Sequence, residues 1–320
     1  MELERFCSTS RVVIVAGKGG VGKTTVSAVM ALAASRAGRS VLVLEIEGKS
    51  GLAAAFGKPP LTYEESDLAP GIRGRTLTAD EALLDYLHDH GLKRISKRLV
   101  SSGALDVVAT AVPGMQDILV LGKVKQLERA EVADLIIVDA PAAGHAISFL
   151  LSARGLLDAV RVGPIRKQAQ EVVELLTDPE RCQVLLVTLP EETPVNELVE
   201  TAFSIEDRAG VALGPAVVNA MFPAVPFDPP LSPDGVLADA AALGVFVGDA
   251  EAAELADAAA FRDSRATIQT AQVRRLGERL PLSQIHLPFL FTADIGPDEI
   301  DTLAAAFTLG VDALPTPARS

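Results

Sequence analysis

Two lysines, Lys18 and Lys23, share one glycine-rich stretch, Gly17-Lys18-Gly19-Gly20-Val21-Gly22-Lys23-Thr24, with Thr25 following. The spacing G-x-x-x-x-G-K-T lets the backbone curl until successive N–H groups point at phosphate oxygens. A buried-type run, VVIVA at 12–16, precedes the stretch, and an Ala-rich segment of helical pattern at 23–37 follows it. The positive end of a helix dipole is therefore aimed at the same place. In that setting Gly19, Gly20, Val21, Gly22, Lys23, Thr24 and Thr25 bind a nucleotide. Lys23 reaches its β- and γ-phosphates, and the Thr24 hydroxyl holds Mg²⁺. An accidental glycine-rich turn is the alternative, expected in on the order of one chain in a hundred of this length, and fewer with the strand and helix in place. Lys18 is a second cation that this task does not need. On its own it reads as a solvated loop lysine.

The elements that must position this loop are legible as short β-branched runs: 12–16, 41–45, 135–139, 184–188 and 216–220. Each has the pattern of a strand buried on both faces. Helical segments such as 23–37, 144–153 and 194–207 lie between most of them. The expected fold is α/β: a mostly parallel sheet flanked by helices, forming a single domain over 1–320. The interval 78–130 breaks the alternation and reads as a helical insertion. The last residues, LPTPARS, read as a frayed tail.

The bulk numbers exclude several classes. The 320 residues are enough for one large domain, and 49% are hydrophobic. No apolar run reaches the roughly 18 residues of a membrane helix, and the start, MELERF, has no signal-peptide pattern. A cytoplasmic protein is expected. Cys7 and Cys182 stand far apart with no CxxC, so neither a zinc clip nor a disulfide framework is expected. A net charge of −13 disfavours nucleic acid as the main partner.

The string KGGVGKTT resembles the deviant Walker A loop shared by ParA/MinD partitioning ATPases, nitrogenase iron protein, and the arsenite-pump and tail-anchored-protein targeting ATPases. The resemblance implies a P-loop fold, ATP as the nucleotide, and a dimer in which Lys18 crosses to the partner's nucleotide as a cation supplied in trans. Further segments point to the arsenite-pump/tail-anchor branch, closest in look to actinobacterial ArsA-like ATPases. ADLIIVDAPAAGHAISFLL, 133–151, resembles that branch's D-x-A-P-x-G-H switch segment, with its small residues shifted. It implies that Asp139 holds Mg²⁺ through a water and that Gly144 and His145 open the next helix; taken alone, His145 reads as a structural helix-start residue rather than a catalytic one. VTLPEETPVNELVETA, 187–202, is similar to the branch's T-x-P-E-x-x-P-x-x-E element, with Thr188, Pro190, Glu191, Pro194 and Glu197 in register. In PAVVNAM, Asn219 falls where the family reads adenine with an amide. An amide suits the adenine edge, although an Asn there can instead satisfy turn backbone. LPFLFTADIG, 287–296, matches a late segment of the branch and implies that Pro288 lines the adenine pocket.

The chain departs from the family after its second strand. Where the family writes D-P-A-H, this sequence has Glu47-Gly48-Lys49-Ser50. Glu47, the expected water-positioning group, carries one extra methylene. That moves the charge by about 1.5 Å, a misplacement that can cost roughly 10²-fold in rate. Three outcomes follow: normal hydrolysis, slow hydrolysis, or ATP used mainly as a switch. A heterodimer with a paralogue that keeps the aspartate stands beside a homodimer. The metalloid and zinc cysteines of the family have no counterparts.

The insertion is where the branch places client-binding helices. Here 99–122 is strongly apolar, and Lys93, Arg94, Lys97 and Arg98 make a basic helix face. Two readings stand: a groove for an apolar protein client or membrane-protein partner, or ordinary helix packing beside a solvated face. Seven acids and no base lie between Asp228 and Phe261, a solvated surface that repels DNA. The best overall reading is a Mg²⁺–ATP-dependent dimeric ATPase. A nucleotide-gated subunit with little hydrolysis is the first rival. A ParA/MinD-like positioning ATPase is the second, and the terminal segment lacks the basic helix that it would need.

Overall fold

The computed structural model describes residues 1–46, 51–89, 91, 114–141, 143–223 and 231–315. After a short helix α1 (Leu3–Phe6), strand β1 (Val12–Ala16) runs into helix α2 (Lys23–Arg36), and β2 (Val41–Ile46) follows. Helix α3 (Gly51–Ala55), the pair β3 (Ser66–Ala69) and β4 (Ile72–Leu77), helix α4 (Ala79–Asp89) and helix α5 (Met115–Arg129) come next. The chain continues through β5 (Leu135–Asp139), α6 (Ala143–Ala159), α7 (Pro164–Thr177), β6 (Cys182–Thr188) and α8 (Glu192–Ser204). A π-turn at Ile205–Ala209, the two-residue β7 (Ala212–Leu213) and β8 (Ala216–Met221) lead to helices α9 (Pro233–Ala242) and α10 (Asp249–Arg279). Strand β9 (Gln284–Pro288) and helix α11 (Pro297–Asp312) complete the described fold.

The strands form one sheet in the order β3-β4-β2-β5-β1-β6-β8-β9, with β7 beside β6. Every pairing is parallel except the β3–β4 hairpin at the edge. Helices cover both faces, as a parallel sheet requires, so alternate residues of one strand enter two different cores. In β1, Val12, Ile14 and Ala16 pack toward α5 and α6, whereas Val13 and Val15 pack toward α2 and α11. Helix α2 is buried around much of its girth because Ala28, Ala31, Ala33 and Ala34 let neighbours approach closely.

All five expected strands are present, and several run slightly longer: β2 reaches Ile46, β6 begins at Cys182, and β8 reaches Met221. The expected helix at 144–153 extends over α6, and that at 194–207 is α8 followed by the π-turn. Within 78–130 the described residues are helical apart from short ends, while 90 and 92–113, with the basic face at 93–98, lie outside them. Both Cys7 and Cys182 are buried and free. Burial pushes each thiol up to about 12, which leaves both unreactive.

Candidate active site

The glycine loop leaves the C-terminal end of β1 between its neighbours β5 and β6. Here the order of connection along the sheet reverses, the place where open α/β sheets bind ligands. The glycines are required by contact as well as by torsion. A Cβ on Gly17 would lie 2.3 Å from the Val187 carbonyl oxygen of β6. Gly22 has φ +92°, and a Cβ there would lie 2.3 Å from the Asn219 amide nitrogen. Helix α2 then starts with Gly22 as its N-cap, without a side-chain cap and without an acid in its first turn. Its exposed N–H groups and dipole favour an anion.

The polar side chains converge on this loop. The Lys23 ammonium donates to the Lys18 carbonyl at 3.0 Å, folding back over the loop it serves. Thr24 Oγ1 donates to Asp139 Oδ2 at 2.6 Å, and Ser27 Oγ lies 3.4 Å from Asp139 Oδ1. A hydroxyl and a carboxylate from different elements are thus joined at the start of α2, and Asp139 is only 7% exposed. Hard oxygen donors in contact at a glycine-rich turn before a helix fit Mg²⁺, which takes one or two carboxylates and leaves the rest of its shell to water and phosphate.

Lys18 projects from the same loop and ion-pairs with Glu197 of α8 at 2.6 Å, with both side chains about two-fifths exposed. Its cation is therefore held within its own chain, in a pair that solvent screens. Asn219 closes the far side: its Nδ2 donates to the Val21 carbonyl at 3.0 Å and its Oδ1 accepts from Ala220 N at 2.9 Å. Both ends of the amide are spent on backbone. Pro288 ends β9 opposite Met221 of β8, so it and Asn219 sit at the same edge of the sheet. Val21 is buried, and Thr25 lies in the first turn of α2.

Some expected residues are not among those described. Glu47 and its neighbours Gly48, Lys49 and Ser50 lie outside the described residues, and so do the side chains of Gly144 and His145. Three features had escaped the sequence reading. Glu45, 1% exposed, sits in register beside Asp139 on the α2 face of the sheet and accepts from the Thr76 hydroxyl at 3.4 Å. Two neighbouring carboxyls raise the local negative charge that a divalent cation offsets. The rings of Phe222, Phe289 and Phe291 cluster with centroids 4.8 to 5.7 Å apart, just beyond Asn219 and Pro288. Arg262 and Arg265 of α10 lie over this cluster at 5.4 and 5.8 Å. The third is Gln269, whose amide grips the end of β8.

Residues 10–161, the span holding the loop, Thr24 and Asp139, match the family model described as anion-transporting ATPase. The chain belongs to the anion-transporting ATPase family. Its relatives include ATPase BagA of Mycobacterium tuberculosis, 36% identical over 230 residues that cover 67% of this chain and 66% of that protein. A putative arsenical pump-driving ATPase of Halobacterium salinarum is 24% identical over 234 residues, covering 67% of this chain and 36% of that one. ATPase get3 of Schizosaccharomyces japonicus is 28% identical over 141 residues, or 43% and 42% of the two chains. The match thus spans 66% of the mycobacterial relative and less of the other two. Among the described residues no helix is long and apolar enough to cross a membrane.

Proposed function

We propose that this member of the anion-transporting ATPase family binds Mg²⁺–ATP at the glycine loop and hydrolyses it slowly as one half of a dimer, in the cytoplasm. The observation that carries the reading is the Thr24–Asp139 contact of 2.6 Å beneath the loop, with two lysines rooted beside it. Lys23 and the loop amides would hold the phosphates, and Thr24 and Asp139 would hold Mg²⁺. The bound ion would offset charge on the phosphates as the terminal group transfers. Lys18 would leave Glu197 and neutralise the partner's nucleotide, an exchange of one solvent-screened pair for contact with a triphosphate. Glu47 is assigned the attacking water, and its extra methylene is the reason for a slow rate. Asn219 and Pro288 are assigned the adenine end. A relative named as a putative arsenical pump-driving ATPase supports ATP-driven work on a partner, here assigned as an apolar client or membrane protein.

The test is complementation between two variants. Lys18→Ala protein retains its own ATP site but lacks the crossing cation; Lys23→Ala protein lacks the site but keeps Lys18. Each alone is expected to turn over ATP poorly, and their mixture to recover a substantial part of wild-type activity. A mixture no faster than its parts contradicts a cation acting between protomers. Turnover of the wild-type chain alone and mixed with a paralogue separates a homodimer from a heterodimer.

A further inference from the structure

The end of β8 adopts a backbone that an alanine enters only under constraint. Ala220 has φ +61°, in the left-handed region where a Cβ crowds the following carbonyl. The register between β8 and β9 shifts at this point, between Val218 and Met221. Gln269 supplies the constraint. Reaching in from α10, and only 3% exposed, it donates through Nε2 to the Ala220 carbonyl at 3.2 Å. Its Oε1 accepts from Phe222 N at 2.7 Å, so one amide holds the turn on both sides of Met221. The preceding residue is Asn219, whose Oδ1 accepts from Ala220 N and whose Nδ2 donates to the Val21 carbonyl. That same Nδ2 occupies the space a Cβ on Gly22 would need.

We infer that Gln269 is a positioning residue for the nucleotide site, holding the strained turn at Ala220 so that Asn219 is aimed at the glycine loop. The inference rests on the reading of that loop as an ATP site. A buried glutamine with both amide atoms committed to one strand end is a fixed clamp, because leaving either buried group unpaired is costly. Its position on α10 makes the geometry of the loop depend on a helix that contributes no residue to phosphate binding. Strain retained next to a ligand-binding loop, and held there from outside, is the pattern of a site kept in one conformation.

The experiment measures the dissociation constant of a fluorescent ATP analogue with Mg²⁺, alongside thermal unfolding, for wild type, Gln269→Leu and the double variant Gln269→Leu/Ala220→Gly. Removal of both hydrogen bonds is expected to weaken binding by about tenfold. Glycine enters the left-handed region without a Cβ penalty, so the double variant is expected to recover most of the affinity. Should Gln269→Leu fail to fold, Gln269→Met, which keeps the side chain's length and loses both hydrogen bonds without burying a charge, is measured in its place and is expected to show a loss of the same sign. Unchanged affinity in the single variant, or a loss that Ala220→Gly leaves untouched, overturns the inference and reduces Gln269 to a packing role. Absence of ATP binding by the wild type overturns the reading of the site itself, and the clamp with it.

Discussion

At the proposed phosphate end of the site, Lys23 and Thr24 follow a single loop, and Asp139 meets Thr24 from the adjacent strand. At the proposed base end, Asn219 is held by Gln269, fifty residues further along the chain, through a turn with φ +61°. The first end is built from local sequence: glycines fix the curl, and the helix that follows supplies the dipole. The second is built from tertiary contact. The loop takes its curl from consecutive residues of one motif. The strand end takes its shape from the contact of a distant helix. The two meet where the Asn219 amide touches Val21 and blocks any side chain at Gly22.

That meeting point can be broken selectively. Gly20 and Gly22 both have positive φ, +84° and +92°, but a Cβ on Gly20 meets nothing within 4 Å while one on Gly22 strikes the Asn219 amide. Gly20→Ala therefore carries only torsional strain, about 1–2 kcal/mol. Gly22→Ala carries the same strain and also displaces Asn219, so its loss of ATP affinity is expected to exceed that of Gly20→Ala by tenfold or more. Equal losses, measured by nucleotide titration, would detach the base end from the loop.

A smaller effect lies away from the site, in the helical region. Burial works against an ionised Asp85 on α4, yet hydrogen bonds from Lys123 and Tyr63 outweigh it and hold its carboxyl below the usual value of 3.8. The folded pKa lies below the unfolded one. Its stabilisation is therefore full above the ordinary carboxylate range and is lost as pH falls through the folded value. Denaturation midpoints are expected to fall more steeply below pH ~4 in wild type than in Asp85→Asn. Parallel curves would remove Asp85 from the acid response.

The contrast between the two ends also explains what the sequence could convey. The loop, the five central strands and Asp139 were all legible because each is written in consecutive residues: β-branched runs, glycine spacing, an acid closing a strand. Strand β4 was not legible, because Arg73 and Arg75 interrupt its apolar pattern. Arg75 is nonetheless buried, stacked 4.2 Å from the centre of the Tyr63 ring. Gly74 leaves room there for Leu68, which would lie 2.7 Å from a Cβ at that position. Gln269 carried no signal because a glutamine in mid-helix is ordinarily a surface residue. The Lys18–Glu197 pair joins residues 179 apart, beyond the reach of local spacing. Glu45 was hidden by the apolar run in which it sits.

The claim on which the rest depends is that the glycine loop, through Lys23, binds Mg²⁺–ATP. Calorimetric titration of Mg²⁺–ATP into the wild-type chain and into Lys23→Ala tests it most directly. The account predicts saturable binding of one nucleotide per wild-type chain and a loss of at least about 100-fold in affinity for the variant, the scale of removing a preorganised cation from a phosphate site. Equal binding by the two proteins, or none by the wild type, would contradict it.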